Sequence, residues 1–295
     1  MNVIDANETV IQNKVLEREK FLINYWITGN QNSNVTTVFL NGLFHGKDAW
    51  VKQIRDLDIS SFSRLLFIDY RDCGLSQSYD PENVIQYNFD DIVNDIGAVL
   101  KYEEIYNALI VGYSIGGQFA IRLCSQFPDR VSSMVLLNTS LEITGHAFTL
   151  IDMFKTMLMS SCDTFAVYTA IYPWFFSSKY LTKLRDLKSS ILQSYVDYNK
   201  NSKALLRFLN ALQNKPNIIK DAKEISIDVT IVSSELDYIF NPETQKKLSE
   251  EIKDSKLILL PGCGHSSFIE QHKIVGKIIN KLIMKRREKQ WKMSW

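Results

Sequence analysis

The sequence has no surplus of either charge. Its 34 lysines and arginines stand against 33 aspartates and glutamates, for a formal net charge of +1. A nucleic-acid-binding domain shows a clustered basic excess, so this balance gives no reason to expect a nucleic acid or an acidic partner. Long apolar runs are absent too. None approaches the roughly 20 residues needed to cross a bilayer. The opening Met1-Asn2-Val3-Ile4-Asp5-Ala6-Asn7-Glu8 lacks the basic start and apolar stretch of a secretory signal. Cysteine is scarce: Cys73, Cys124, Cys162 and Cys263 are scattered without metal-ligand spacing, and read as the reduced thiols of a cytoplasmic protein. Cys263 falls close to His265 but reads as loop packing. No phosphate loop, dinucleotide fingerprint, repeat or low-complexity tract occurs, and neither a cofactor nor a metal is expected.

What is present is an ordinary globular composition, 45% hydrophobic and 23% charged, over 295 residues, with a mean hydropathy of −0.11. That length can bury one large core plus an insertion. Glu8 to Lys14 and Phe21 to Thr28 read as an opening hairpin of strands. Further strands are expected at Val35 to Leu40 and Arg64 to Asp69, and a helix at Phe89 to Leu100. Alternating strands and helices argue for a mostly parallel sheet covered on both faces.

The densest local signal is Val111-Gly112-Tyr113-Ser114-Ile115-Gly116-Gly117, directly after the apolar run Ala108-Leu109-Ile110. Gly-x-Ser-x-Gly between a strand and a helix is a nucleophile elbow. The turn strains the serine backbone, and the residues two before and two after must be small because strand and helix pass close together. A chain of this length meets the pattern by chance roughly one time in ten, so its context carries the argument. Gln118 to Cys124 reads as a helix ending near Pro128, and Val131 to Leu137 as another buried strand. Strand, elbow, helix, strand is the order this chemistry requires.

A serine hydroxyl is a poor nucleophile without a base and an acid to orient that base. Of four histidines, His265 follows the apolar strand Leu257 to Leu260 in the glycine-rich loop Pro261-Gly262-Cys263-Gly264. That loop can place an imidazole at the carboxyl edge of a sheet. His272 falls in the terminal helix; His45 and His146 stand at the wrong places in the chain. The acid is expected between serine and base. Val229 to Val232 is a β-branched strand, and Asp237 lies in the turn after it, with Glu235 as a rival pointing to solvent. The other place where an acid could stand, after the strand that follows the elbow helix, holds Asn138-Thr139-Ser140 and no carboxylate.

The order Ser114, Asp237, His265 resembles that of the α/β-hydrolase superfamily, and the resemblance covers nearly the whole chain. It implies an α/β-hydrolase fold: a mostly parallel eight-stranded sheet, helices on both faces, and a helical cap insertion. Residues 1–140 and 218–295 would form the core and 141–217 the cap. Thr37 to Gly42 is similar to the strand and turn that supply half of the oxyanion hole, with Asn41-Gly42 where the family usually has His-Gly. By position the backbone N–H groups of Leu43 and Ile115 would be the two donors. Asp69-Tyr70-Arg71-Asp72-Cys73-Gly74-Leu75-Ser76 resembles a structural turn of the family, with Asp72 in place of a usual glycine.

The implied activity is cleavage of a carboxylic ester, lactone or thioester through an acyl-enzyme. The runner-up is an acyltransferase on the same residues. The Asn-Gly turn and Gly116-Gly117 are similar to the bacterial synthase that joins two hydroxyacyl chains, and fit enol-lactonases and esterases as well. A non-catalytic binding protein of this fold is a third class, against which the complete set of three residue types argues. The insertion alone speaks about the substrate. Between Phe148 and Tyr180 it carries Phe154, Phe165, Tyr168, Tyr172, Trp174, Phe175 and Phe176 with Met153, Met157 and Met159, an adaptable apolar surface. This cluster either holds the cap together or lines an acyl site. Phe44, Tyr113, Trp174 and Phe175 are the expected substrate contacts. Ile274 to Met284 has helical apolar spacing, and the basic tail Lys285 to Lys292 with Trp291 and Trp295 is a candidate for weak contact with an anionic membrane surface.

Overall fold

The computed structural model describes residues 2–4, 10–51, 59–79, 86–143 and 145–293. Their strands form one ten-stranded sheet: β1 (Asn2–Ile4), β2 (Val10–Arg18), β3 (Phe21–Gly29), β4 (Thr36–Leu40), β5 (Arg64–Ile68), β6 (Gln77–Ser78), β7 (Ala108–Tyr113), β8 (Val131–Leu137), β9 (Asp228–Ser234) and β10 (Lys256–Leu260). The order across the sheet is β1-β2-β3-β5-β4-β7-β8-β9-β10, with β6 on β3. From β5 to β10 every pairing is parallel; β1, β2, β3 and β6 join antiparallel. The sheet thus has two strands beyond the eight expected. Both are short, three residues in β1 and two in β6, too few for an alternation to show in sequence. The first hairpin strand, expected over Glu8 to Lys14, runs on to Arg18 because Val15 to Arg18 pairs with Phe21 to Asn24; Glu8 and Thr9 lie outside the described residues.

The sheet is held between two apolar layers that the period-2 alternation of its central strand divides. All six residues of β7 are buried. Leu109, Val111 and Tyr113 face a cluster with Trp50, Phe268, Val275 and Ile279. Ala108 and Ile110 face the other, with Ile96, Phe119 and Ala120. A strand covered on both faces needs a near-continuous apolar run, which is what Ala108 to Val111 supplies. The helices are α1 (Ile59–Phe62), α2 (Phe89–Tyr102), α3 (Ile115–Gln126), α4 (Gly145–Met159), α5 (Thr164–Phe175), α6 (Ser178–Lys183), α7 (Lys188–Tyr198), α8 (Ser202–Gln213), α9 (Ile219–Lys223), α10 (Pro242–Glu251), α11 (Ser267–Glu270) and α12 (His272–Met293). Helix α2 starts where its sequence says it should. The Asn88 side chain accepts from the Asp91 N–H and the Asp91 carboxylate from the Asn88 N–H, a reciprocal cap. Helix α12 buries Val275, Ile279 and Ile283 at four-residue spacing.

Helices α4 to α8 fall between β8 and β9, where the strand pattern lapses. They build an apolar cluster of their own from Phe154, Tyr168, Tyr172, Phe175, Phe176 and Leu209, joined by Phe44 from the core. Of the aromatic and methionine residues singled out in this segment, Phe148, Met159 and Trp174 are exposed instead. The basic tail continues α12. Lys285 bonds Asp228 at 2.7 Å, and Arg286 reaches Ser132, Ser133 and the Asn107 carbonyl. The side chains beyond Glu288, Trp291 among them, and Trp295 lie outside what the structure describes. Among the described residues no helix is long and apolar enough to cross a membrane.

The turn after β5 ties the insertion to the core. Arg71 makes a buried fork with Asp95, at 2.6 and 2.7 Å. Asp72, at φ 63°, makes another with Arg207 of α8, at 2.8 and 2.9 Å. Asp72 is therefore more than a turn residue standing in for glycine: it is the partner of a buried guanidinium. Replacing Asp72 with glycine relieves about 1–3 kcal/mol of backbone strain, while stranding a buried charge costs about 3–5 kcal/mol. Chemical denaturation should therefore show Asp72→Gly to be a net loss of about 2 kcal/mol. The double change Asp72→Gly with Arg207→Met should recover most of it. A single variant as stable as wild type would refute this account of the pair.

Candidate active site

Ser114 stands between β7 and α3 at φ 54° and ψ −121°, a region a side-chain-bearing residue occupies only when its surroundings force it. The force is steric. A Cβ at Gly112 would lie 2.6 Å from the Gly116 carbonyl oxygen, and one at Gly116 would lie 2.6 Å from that of Asn41. No other residue fits either place, so β7 closes on α3 to glycine distance at Gly112, and α3 closes on the end of β4 at Gly116. The Ser114 N–H is held by the Leu137 carbonyl at 2.8 Å. Ile115 opens α3, and its N–H has no acceptor one turn earlier in the helix.

The loop after β10 brings His265 to this turn. Its Nε2 lies 2.9 Å from Ser114 Oγ, and its Nδ1 lies 3.0 and 2.9 Å from the two Asp237 oxygens. An Nδ1–H that donates to Asp237 leaves Nε2 free to accept from the serine hydroxyl. The three side chains are almost wholly withdrawn from solvent, at 7% exposure for Ser114, 0% for His265 and 2% for Asp237. A buried carboxylate must be compensated, and Asp237 is. Oδ1 accepts from the Ile239 and Phe240 N–H groups, both at 2.9 Å. Oδ2 accepts from Asn138 Nδ2 and Gln245 Nε2, both at 3.1 Å. Asn138 is fixed in turn by Ser267 Oγ, which donates to its Oδ1. In the sequence Asn138 marks only a place where an acid could stand and does not, and nothing local marks Gln245. Only the approach of β8 and α10 to the Asp237 turn reveals them as donors. Glu235 is exposed and accepts from the Gly262 N–H at 2.7 Å. It braces the loop leading to His265 and does not meet the ring.

Leu43, Ser114, Ile115 and His265 line a single pocket with Phe44, Phe154, Phe175, Leu212 and Phe240. Its walls are almost entirely apolar, and its cavity is about 50 Å³. Phe44 and Phe175 stand where a substrate contact should. Tyr113 and Trp174 do not. Tyr113 shares its face of β7 with Leu109 and Val111 and is wholly buried behind the site, its hydroxyl 3.0 Å from Ser266 Oγ. Trp174 lies off the buried stripe of α5 that carries Ile171 and Phe175, and is 38% exposed. Asn41 also points away, accepting from Trp50 Nε1 at 2.6 Å and donating to the Ile68 carbonyl at 3.2 Å. His45, set aside for its place in the chain, is buried beside this loop. Its Nδ1 donates to the Leu43 carbonyl at 3.1 Å, and its ring meets Tyr113, Phe175, Tyr195 and Phe268 edge-on. Burial lowers its pKa to about 4, although the bond to Leu43 opposes this, so the ring is neutral at pH 7. His146 and His272 open α4 and α12, outside the site. Among the described residues no three His, Cys, Asp or Glu side chains gather where they could hold a metal ion.

A serine bonded to an imidazole, which is bonded to a buried carboxylate, can pass a proton from the serine oxygen as that oxygen attacks an electrophile.

Known proteins share this architecture. A putative 2-succinyl-6-hydroxy-2,4-cyclohexadiene-1-carboxylate synthase of Bacillus subtilis is 25% identical over 264 residues, spanning 85% of this chain and 91% of the relative. The alpha/beta hydrolase enzyme MGS-M2 from a Medee basin deep-sea metagenome library superposes with a TM-score of 0.80 at 24% identity, over 92% of this chain and 96% of that one. The enol-lactonase from Burkholderia xenovorans LB400 does so at 0.80 and 20% identity, over 92% and 100%. The family described as alpha/beta hydrolase fold matches residues 37–271, so the chain belongs to the alpha/beta hydrolase family.

Proposed function

We propose that the protein is a serine hydrolase that cleaves a carboxylic ester, lactone or thioester with an apolar acyl part. The observation that carries this reading is the unbroken line from Ser114 Oγ through the His265 ring to Asp237. The Ser114 oxygen attacks the carbonyl carbon and its proton passes to His265 Nε2. The Leu43 and Ile115 N–H groups hold the resulting oxyanion, each contributing about 3 kcal/mol. The bond to the leaving oxygen or sulfur breaks, and His265 returns the proton to it. Water then gives a proton to the same nitrogen, attacks the acyl-enzyme and releases the acid, restoring Ser114. Asp237 holds the imidazole in one tautomer and offsets its charge in both halves. The helical segment over the pocket, residues 141–217, acts as a cap, and its apolar lining selects an apolar acyl group.

The deep burial of Ser114 and His265 supports a second reading, an acyltransferase that keeps water from the acyl-enzyme and admits an alcohol in its place. Product analysis with an added alcohol separates the two: a hydrolase yields mainly the acid, a transferase mainly the new ester.

Ser114→Ala should lower ester turnover by a factor of about 10⁴ or more and abolish labelling by a fluorophosphonate, with the circular dichroism spectrum unchanged. Turnover within a few-fold of wild type would remove Ser114 from the mechanism.

Asp237→Asn should lower kcat by about 10⁴ through loss of the tautomer, and Glu235→Gln should change it only a few-fold. The opposite ranking, measured on one p-nitrophenyl ester, would move the acid to Glu235.

A further inference from the structure

A second cavity, which the reaction scheme does not use, lies on the far side of Phe44. It holds about 290 Å³, against about 50 Å³ beside Ser114. Phe44, His45, Gly46, Asp48 and Ala49 of the core loop form one wall, and Phe176, Tyr180, Leu184, Leu187 and Ile191 of the insertion form the other. Among the described residues, Phe44 alone lines both spaces. Pockets for small molecules typically measure about 300–1,000 Å³. The outer cavity comes to about that size, and the one beside Ser114 falls far short of it.

Phe44 is an unusual residue to find on this boundary. It sits at φ 69°, a conformation that a bulky side chain seldom adopts outside functional sites. Its ring is stacked on Phe154 at 4.4 Å and edge-on to Tyr168 and Phe175, within an apolar cluster. An apolar tail can replace contacts of that kind without stranding a hydrogen bond. The outer cavity has a matching chemistry. Its lining is mainly apolar, holds no lysine or arginine, and carries the exposed carboxylate of Asp48. An anionic tail would find no counter-ion there and one repelling charge.

We propose that Phe44 is the partition of a two-chamber acyl site. The reacting carbonyl occupies the inner chamber beside Ser114, and a neutral, elongated hydrocarbon tail passes Phe44 into the outer one. The inner half of this proposal rests on the serine hydrolase reading; the outer half rests on the cavity.

The test uses p-nitrophenyl esters from acetyl to dodecanoyl, with equilibrium dialysis of 1-decanol as a readout free of turnover. Ile191→Trp fills the outer cavity, and should lower the ratio of octanoyl to acetyl kcat/KM at least tenfold and weaken decanol binding by a similar factor. Leu187→Trp, at a position exposed to solvent and tolerant of bulk, should act in the same direction if Ile191→Trp fails to fold. Phe44→Ala should raise the octanoyl to acetyl ratio several-fold. Ester turnover whose chain-length ratio and decanol binding both ignore the two tryptophans would overturn the outer chamber and leave the hydrolase reading standing. Decanol binding that responds to the tryptophans in a protein that cleaves no ester would do the reverse.

Discussion

The contact between β7 and α3 is the constraint on which the rest of the site depends. Gly112 on the strand has no room for one more carbon against Gly116 and Gly117 of the helix, and Gly116 has none against the Leu40 and Asn41 carbonyls at the end of β4. The approach is affordable because each segment is anchored elsewhere by apolar burial, Val111 and Tyr113 on one side and Phe119 and Ala120 on the other. The backbone of Ser114 absorbs the strain. The hydroxyl is thereby fixed before any substrate arrives, so catalysis would pay little to orient it.

Asp237 shows the same preorganisation from the electrostatic side. Five donors converge on its carboxylate: the His265 ring, two N–H groups of its own turn, Asn138 at the end of β8 and Gln245 in α10. Charge-assisted bonds of this kind are shorter and stronger than neutral ones. Their sum holds the carboxylate in a place withdrawn from bulk solvent, where its effect on the imidazole is least screened. The apolar pocket and the buried carboxylate are thus two parts of one arrangement, since a wetter site would need fewer donors and would orient the ring less firmly.

Hydrogen bonds couple the insertion to this arrangement at several points. Arg207 forks onto Asp72 in the turn after β5. The Ser266 N–H donates to the carbonyl of Phe175, a pocket residue. Glu270 accepts from the N–H and hydroxyl of Ser177 and from the N–H of Gly264, one residue before His265. The position of α5 is therefore tied to that of the loop that carries His265 by a handful of hydrogen bonds.

Much of this was determined by the sequence alone. The apolar runs, the elbow glycines and the chain order of Ser114, Asp237 and His265 are local patterns, and local patterns survive in one dimension because each reports the burial or strain of its own segment. Strand length beyond Lys14, and the short strands β1 and β6, depend on which neighbour pairs with them, which no window of the chain contains. The tertiary structure also decided which residues surround the site. Asn138 and Gln245 became donors, His45 became a buried brace for the Leu43 loop, Tyr113 turned into the core and Trp174 turned toward solvent. Composition marks an aromatic helix as apolar on average. The face it presents, and the cavity it leaves beside Phe44, follow from packing between segments more than a hundred residues apart.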